Sequence, residues 1–90
     1  MRSFTTPAFW ECYRALPPAI RRLAVKNYRL WRLDPGHPGL HFKPVGPTTW
    51  SARIGDSYRA VAAPVPSGYV WFWIGPHKEY ERLIASLQRR

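Results

Sequence analysis

The segment Trp50-Ser-Ala-Arg-Ile-Gly-Asp-Ser-Tyr-Arg-Ala-Val61 decides how this chain folds, together with Trp71-Phe-Trp-Ile-Gly-Pro-His-Lys-Glu-Tyr80. At its start, apolar and polar side chains alternate, which is typical of a β-strand with one buried face. Such a strand places Arg53 on the face opposite Ile54. The sequence therefore predicts a sheet with one packing face and one face that carries cationic side chains.

Two further apolar runs extend this sheet. The run 58–63 places Arg59 on the face opposite its tyrosine and small side chains. The run 69–74 is apolar at every position, which predicts a strand that is covered on both faces. It ends at Gly75-Pro76, and three polar or cationic side chains follow directly: His77, Lys78 and Tyr80. Arginines next to such a cluster are typical of a surface that handles phosphate groups.

The length and charge of the chain limit what it can be. Its 90 residues suffice for one domain, residues 1–90, with a single core. A hydrophobic content of 46% indicates a globular protein, and the net charge is +9. The cations are spread along the whole chain, so no basic tail explains the charge. Such a charge favours an anionic partner, either a nucleic acid or an acidic protein.

Cysteine and histidine usage predicts no metal site. Cys12 is the only cysteine, which excludes an intramolecular disulfide and makes a cysteine-based zinc site implausible. The three histidines and few acids lack the spacing of metal ligands, and we expect no cofactor. The N-terminus has no signal-peptide pattern, and no run approaches the ~20 apolar residues of a membrane span. We therefore expect a cytoplasmic protein with no membrane segment.

Two helices are predicted before the sheet. Thr6-Pro7 is typical of a helix start, and an apolar stripe follows at Phe9, Tyr13 and Leu16. Pro17-Pro18 ends this helix and begins a second one, which ends at Asp34-Pro35-Gly36. One face of the second helix is apolar at the helical period. Its remaining surface carries the cations Arg21, Arg22, Lys26, Arg29 and Arg32. The two helices should form an αα-hairpin.

The remaining segments complete an α+β order. Residues 40–45 alternate, with Leu40 and Phe42 on one side, and Pro44 indicates either an edge strand or the end of a strand. Residues 77–88 carry apolar side chains at helical spacing: Tyr80, Leu83, Ile84 and Leu87. The predicted order is two helices, about four antiparallel strands and a short C-terminal helix. Helices and strands that do not alternate favour an α+β fold over a parallel α/β sheet.

Taken in order, these blocks resemble the RelE/ParE superfamily of bacterial type II toxin–antitoxin toxins. The likeness runs from the hairpin that ends at Asp34-Pro35 through Leu40-His-Phe-Lys43. It is most specific in the Arg-x-Gly-Asp-x-Tyr-Arg block at 53–59. It closes with Phe72-Trp-Ile-Gly-Pro-His77 and with Tyr80, so it covers nearly the whole chain.

The resemblance implies a RelE-like fold, with an N-terminal helical hairpin packed on an antiparallel sheet of about four strands. RelE-like members of the family are endoribonucleases that cut mRNA, often in the ribosomal A site. ParE-like members inhibit DNA gyrase instead and lack the nuclease residues. Both kinds are neutralised by an antitoxin protein that wraps around the toxin.

RNA cleavage of this type needs no metal, but it needs three kinds of group. A base takes the proton of the 2′-OH, a donor protonates the leaving 5′-oxygen, and cations stabilise the phosphorane. The candidates for catalysis are Arg53, Arg59, His77 and Tyr80. The candidates for binding RNA phosphates are Lys43, Lys78 and Arg29. The family's nucleases usually carry an arginine near the end of the last strand. His77-Lys78 stands there in this chain, which resembles the branch that uses histidine and tyrosine.

Each candidate also has a structural explanation. Arg53 could pair with Asp56, and Arg59 could bond to carbonyl groups. His77 could cap the last helix, and Tyr80 fits the apolar stripe of that helix. The basic row that includes Arg29 is explained by a solvated helix surface as well as by a track for phosphates. The run 71–73 is predicted to be core rather than a surface for base stacking.

Together with these residues, the resemblance implies a metal-independent toxin that cleaves mRNA, either free or on the ribosome. The resemblance also implies a cognate antitoxin, and we expect its acidic segment to bind the basic surface. Two alternatives stay open. One is a ParE-like inhibitor of DNA gyrase, and the other is a basic RNA-binding module without catalytic activity.

Overall fold

The computed structural model describes residues 1–89 and has the predicted α+β order. Its helices are α1 (Pro7–Arg14), α2 (Pro18–Leu33) and α3 (His77–Gln88). Its strands are β1 (Arg2–Thr5), β2 (Lys43–Gly46), β3 (Thr49–Ile54), β4 (Tyr58–Val65) and β5 (Gly68–Pro76), with a short 3₁₀ turn at Pro38–Leu40. The helical hairpin and the C-terminal helix that the sequence predicts are confirmed.

Local sequence signals set the start of the hairpin. The Thr6 side chain accepts a hydrogen bond of 3.1 Å from the backbone N–H of Phe9, and Pro7 occupies the first helical position. The proline pair then turns the chain into α2. The Arg21 guanidinium donates to the carbonyl oxygens of Arg14 and Leu16 at 3.2 and 3.0 Å. These bonds satisfy carbonyl groups at the end of α1 and join the two helices.

The sheet has five strands in the order β1-β5-β4-β3-β2. Strands β2 to β5 are antiparallel, as predicted. The fifth strand, β1, pairs in parallel with β5, from Arg2 opposite Gly68 to Thr5 opposite Trp71. This strand and its pairing were not predicted, because four residues without a turn signal do not specify a partner more than 60 residues away in sequence.

The edge strand is shorter than its alternation predicts. Leu40 lies in the 3₁₀ turn, and His41 has a left-handed backbone with φ 45°, so β2 begins only at Lys43. Leu40 is nevertheless buried, and Phe42 packs against the core. The alternation therefore identified the buried side chains correctly, although a turn rather than a strand delivers Leu40 to the core.

The main core lies between the helical hairpin and one face of the sheet, which we call the hairpin face. Trp31 of α2 is 2% exposed and meets the edge of Trp71 at a ring distance of 5.0 Å. The sheet beneath presents buried small side chains, which leave room for large rings: Ala52, Ala60 and Ala62. Burial of a large aromatic side chain contributes about 2–3 kcal/mol, so Trp31 is a principal support of the fold.

A β-bulge changes which side chains of β5 are in this core. Val61 pairs with Trp73, but Ala62 pairs with Trp71, so Phe72 is an extra residue on β5. Trp71 is buried in the core, whereas Phe72 and Trp73 are half-buried and lie outside the core cluster. The prediction that the run 71–73 is core is therefore right for Trp71 and wrong for Trp73, which the bulge turns to the opposite face.

Candidate functional site

The face opposite the hairpin, which we call the α3 face, collects most of the predicted site residues. Side chains that are paired across neighbouring strands lie on the same face. One cross-strand row consists of Lys43, Ser51, Val61 and Trp73. The next row consists of Arg53, Arg59 and Gly75. Strands are about 4.8 Å apart, so the backbone positions of the cationic residues lie within about 10–15 Å of one another across the sheet.

The turn between β3 and β4 holds both arginines. Arg53 Nε donates to the carbonyl oxygen of Gly55 at 3.1 Å, and the Arg53 guanidinium pairs with the Asp56 carboxylate. Arg59 Nη1 donates to the carbonyl oxygens of Tyr58, Asp56 and Gly55 at 2.8, 3.3 and 3.4 Å. The two structural roles considered from the sequence, an ion pair and bonds to carbonyls, are thus both present.

These bonds do not use up the guanidinium groups. An arginine offers five N–H donors. Within residues 1–89, Arg53 uses Nε and Nη2, and Arg59 uses Nη1. The Arg53 side chain is 33% exposed. The turn therefore fixes both groups in place and leaves donors on each for an external anion.

A glycine in this turn brings it against α2. Gly55 has φ +65°, a left-handed conformation that glycine adopts without strain. A Cβ atom at this position would lie 2.9 Å from Leu23 Cδ2 of α2. The turn that aligns Arg53 and Arg59 is therefore packed against α2 of the hairpin.

His77 lies beside this turn as the first residue of α3. Its backbone N–H donates to the carbonyl oxygen of Ser57 at 2.8 Å. Its side chain reaches forward by one helical turn, and Nδ1 lies 3.1 Å from the Oε1 atom of Glu81. The N-cap residue is Pro76, and no side chain caps the helix. The alternative in which His77 caps α3 is therefore wrong, because its ring lies beside Glu81 one turn along the helix and caps no backbone group.

Tyr80 connects α3 to the centre of the α3 face. Its hydroxyl donates to Ser51 Oγ at 3.2 Å, and its ring lies 6.5 Å from the Trp73 ring and 5.6 Å from the His77 ring. Tyr80 is half-buried, so it packs under α3 as its place in the apolar stripe predicts. The hydroxyl also lies in the row that contains Lys43, because Ser51 is paired with Lys43.

Five of the seven predicted site residues thus belong to one surface: Lys43, Arg53, Arg59, His77 and Tyr80. Lys78 is exposed on α3 immediately after His77. Arg29 is exposed on α2, which covers the hairpin face. It lines a furrow there with Arg21, Arg22 and Lys26. The sheet separates Arg29 from the other candidates, and its predicted role in binding RNA phosphate stays a prediction.

Three residues of this surface were not predicted from the sequence: Ser51, Trp73 and Glu81. The signal for Glu81 was its i,i+4 spacing from His77 on a helix. The bulge in β5 places Trp73 on this face, and no local sequence pattern predicts the bulge. A Cβ atom at Gly75 would lie 2.7 Å from the Trp73 ring, so the indole lies close over β5 and needs a glycine there.

The hairpin face carries a separate apolar groove of about 650 Å³ between α1, α2 and the sheet. Large side chains at its mouth are unusually exposed: Phe4, Trp10, Val25 and Tyr28. Tyr13 and Val25 line both this groove and the basic furrow of α2. An apolar groove bordered by cations is suited to a partner segment that is apolar on one side and acidic on the other.

Residues 1–89 contain no group of three or more His, Cys, Asp or Glu side chains that could hold a metal ion. None of the helices in this part of the chain is both long and apolar enough to cross a bilayer.

The fold is similar to those of several solved toxins. RelE in the RelB–RelE antitoxin–toxin complex from Methanococcus jannaschii has a TM-score of 0.71 at 12% identity, covering 89% of this chain and 96% of that one. A YoeB/ParE toxin from Agrobacterium tumefaciens has a TM-score of 0.66 at 19% identity, covering 86% and 99%. The isolated RelE toxin of E. coli has a TM-score of 0.62 at 12% identity, covering 90% and 96%.

No protein-family model matches the sequence, and the comparison with curated proteins gives no match. At these identities the structural similarity shows the fold. The chain has the fold of the RelE/ParE toxins, and the resemblance drawn from its motifs is confirmed at that level.

Proposed function

We propose that this chain is the toxin of a type II toxin–antitoxin pair and that it cleaves mRNA without a metal. The observation that carries the proposal is the grouping of Lys43, Arg53, Arg59, His77 and Tyr80 on one face of a RelE-type fold. These residues supply the cations and the acid–base groups that cleavage requires.

The proposed reaction is an attack by the 2′-oxygen on the adjacent phosphorus. The 2′-O–P bond forms and the P–O5′ bond breaks, which gives a 2′,3′-cyclic phosphate and a 5′-hydroxyl. The proton of the 2′-OH passes to His77. The hydroxyl of Tyr80 turns its hydrogen from Ser51 Oγ to the leaving 5′-oxygen and donates it there. Proton return from His77 through solvent then restores both groups.

The two arginines would stabilise the additional negative charge on the phosphorane. Their positions are fixed by the β3–β4 turn before any ligand arrives, so they need little reorganisation. Lys43 lies on the edge strand, one row away, and would bind a neighbouring phosphate of the RNA. Lys78 would add charge at the other end of the same surface, next to His77.

The half-buried ring of Trp73 would support the base of a bound nucleotide. It lies on the same face as the arginines, and stacking of a base on an aromatic ring contributes about 1–3 kcal/mol. Stacking is tolerant of sequence, so this contact favours an RNA single strand without selecting one base.

We further propose an antitoxin partner, as the M. jannaschii RelE has in its complex with RelB. Its place would be the apolar groove of the hairpin face, with acidic side chains against Arg22, Lys26 and Arg29. This position makes the expectation from the sequence more specific, since that expectation was only that an acidic segment of the antitoxin binds the basic surface. The apolar groove favours it, because an acidic segment there gains both apolar burial and charge pairing.

Purified protein tests the proposed activity against the gyrase alternative. RNA integrity and DNA supercoiling by gyrase are assayed side by side at the same protein concentrations. We expect RNA cleavage with supercoiling unaffected, in the free protein or on addition of ribosomes. Intact RNA together with inhibited supercoiling would replace the nuclease proposal by the ParE-like one. Salt-dependent RNA binding with neither activity would leave a binding module.

A further inference from the structure

Acidic side chains on this protein are few, and two of them are placed at the candidate site. The chain has 5 Asp and Glu against 14 Lys and Arg. Within residues 1–89, both ion pairs involve a candidate catalytic residue, namely Arg53 with Asp56 and His77 with Glu81. The cationic row of α2 has no such partner in that part of the chain. This distribution places a carboxylate on the one histidine of the α3 face.

We propose that Glu81 is a positioning residue that sets the orientation and tautomer of His77. Glu81 Oε1 lies 3.1 Å from Nδ1, and a carboxylate this close favours a hydrogen over a lone pair on that nitrogen, because a carboxylate can only accept. In the neutral ring, Nε2 is then the nitrogen with the free lone pair. The inference rests on the proposed nuclease function, because it assigns Nε2 as the atom that takes the 2′-OH proton.

Three features of α3 position this pair: the helical spacing, a backbone hydrogen bond and a neighbouring ring. Residues four apart on a helix are neighbours, so Glu81 lies one turn beyond His77. The backbone of His77 is fixed by its bond to Ser57, and the Tyr80 ring lies 5.6 Å from the imidazole. The His77 and Glu81 side chains are 42% and 67% exposed, so the pair contributes little to stability. Its effect is on the ring rather than on the fold.

Glu81 would affect one chemical step, the transfer of the 2′-OH proton to His77. When Nε2 accepts the 2′-OH proton, the ring becomes an imidazolium with hydrogens on both nitrogens. The Nδ1 hydrogen stays on the ring, and the Glu81 carboxylate stabilises the new positive charge without taking that proton. Without Glu81, the neutral ring can place its hydrogen on Nε2, and that fraction of molecules cannot act as the base.

Three variants of the full chain separate positioning from charge: Glu81→Ala, Glu81→Gln and Glu79→Ala. Glu79 is an exposed acid on the same helix and is not paired with His77, so its variant matches the loss of charge. The readout is the ¹⁵N NMR spectrum of the His77 ring above its titration range, recorded without RNA, since protonated and lone-pair nitrogens have different shifts. The rate of RNA cleavage at saturating and at low RNA is measured in parallel.

We expect the wild type and Glu79→Ala to hold the hydrogen on Nδ1, and Glu81→Ala to move a large share of it to Nε2. Glu81→Gln keeps an acceptor and should retain most of the Nδ1–H form. In an active wild type, kcat of Glu81→Ala should fall about tenfold with KM unchanged. A spectrum of Glu81→Ala identical to the wild type would overturn the positioning role, as would an unchanged kcat. If the wild type cleaves no RNA but the spectrum of Glu81→Ala is changed, the proposed function is overturned. The positioning of the His77 ring by Glu81 is then still supported.

Discussion

Arg53 on β3 and Arg59 on β4 face each other directly across an antiparallel pair, and both donate hydrogen bonds to the carbonyl oxygen of Gly55. Like charges in this position destabilise a sheet. The turn offsets that repulsion with its carbonyl groups and with the Asp56 carboxylate. We expect two arginines that are held side by side at such a cost to bind an anion, and measurements of RNA binding test this expectation.

Asp56 pairs with Arg53, so we expect its carboxylate to compete with RNA phosphate for that guanidinium. Its side chain is 90% exposed, so the substitution Asp56→Asn should change the free energy of unfolding by less than about 1 kcal/mol. It frees the Arg53 guanidinium, so we expect tighter RNA binding with a steeper dependence on salt concentration. Fluorescence anisotropy at several salt concentrations measures both. Weaker binding in this variant would instead mean that Asp56 holds Arg53 in its useful orientation.

The Tyr80–Ser51 hydrogen bond allows structure and chemistry to be separated. Tyr80→Phe and Ser51→Ala each remove this bond, and each should cost about 0.5–1.5 kcal/mol of unfolding free energy. Only Tyr80→Phe also removes the proposed proton donor. We therefore expect similar thermal melting shifts, with RNA cleavage lowered about 100-fold in Tyr80→Phe and far less in Ser51→Ala. Equal losses of cleavage in both variants would reduce Tyr80 to a packing residue.

Lys43 and Arg29 test which face of the sheet binds a short RNA. Removal of one phosphate contact lowers the salt slope of single-strand binding by about 0.7. We expect that change for Lys43→Ala, which lies on the α3 face, and none for Arg29→Ala, which lies on α2 across the sheet. The RNA should span only a few nucleotides, so that it cannot reach both faces. A reduced slope in Arg29→Ala alone would place the binding surface on the hairpin face.

Trp31 and Trp10 provide a matched pair for the hairpin face. Trp31 is 2% exposed at the centre of the core, so Trp31→Ala should lower the unfolding free energy by about 3–5 kcal/mol. Trp10 is 43% exposed at the mouth of the groove, so Trp10→Ala should cost far less. Chemical denaturation measures both. Comparable denaturation curves for the two variants would mean that the core is not built around Trp31. If the groove binds the antitoxin, Trp10→Ala should also weaken the complex of the purified toxin and antitoxin.

Local patterns predicted most of this fold because each needs only neighbouring residues. The Thr6-Pro7 start, the proline pair at 17–18 and the alternation at 50–54 all lie where the sequence places them. The parallel pairing of β1 with β5 was not predictable in this way, since it joins the two ends of the chain. The 3₁₀ turn at Leu40 was also missed, because a turn and a strand can bury the same alternating side chains.

Strand alternation predicted which candidate residues share a face of the sheet, but it predicted no more of the candidate site than that. Arg53 and Arg59 share a face because their strands pair in register, and His77 follows at the end of the neighbouring strand. The position of Arg29 on the other side of the sheet was not predictable, because charge alone does not reveal which side of a sheet a helix covers. Trp73 was missed because one extra residue in β5 places its side chain on the opposite face of the sheet from the one that simple alternation predicts.

The most direct measurement is cleavage of a defined RNA by purified wild type, Arg53→Ala, His77→Ala and Arg82→Ala, with the ends of the products mapped. Arg82 is an exposed cation on α3 outside the candidate site, so its variant controls for the loss of one positive charge. We predict cleavage by the wild type and by Arg82→Ala without added metal, with 2′,3′-cyclic phosphate and 5′-hydroxyl ends. Arg53→Ala and His77→Ala should remain folded by circular dichroism and lose cleavage at least about 100-fold. Undiminished cleavage in both of these folded variants would contradict the assignment of the α3 face as the catalytic surface.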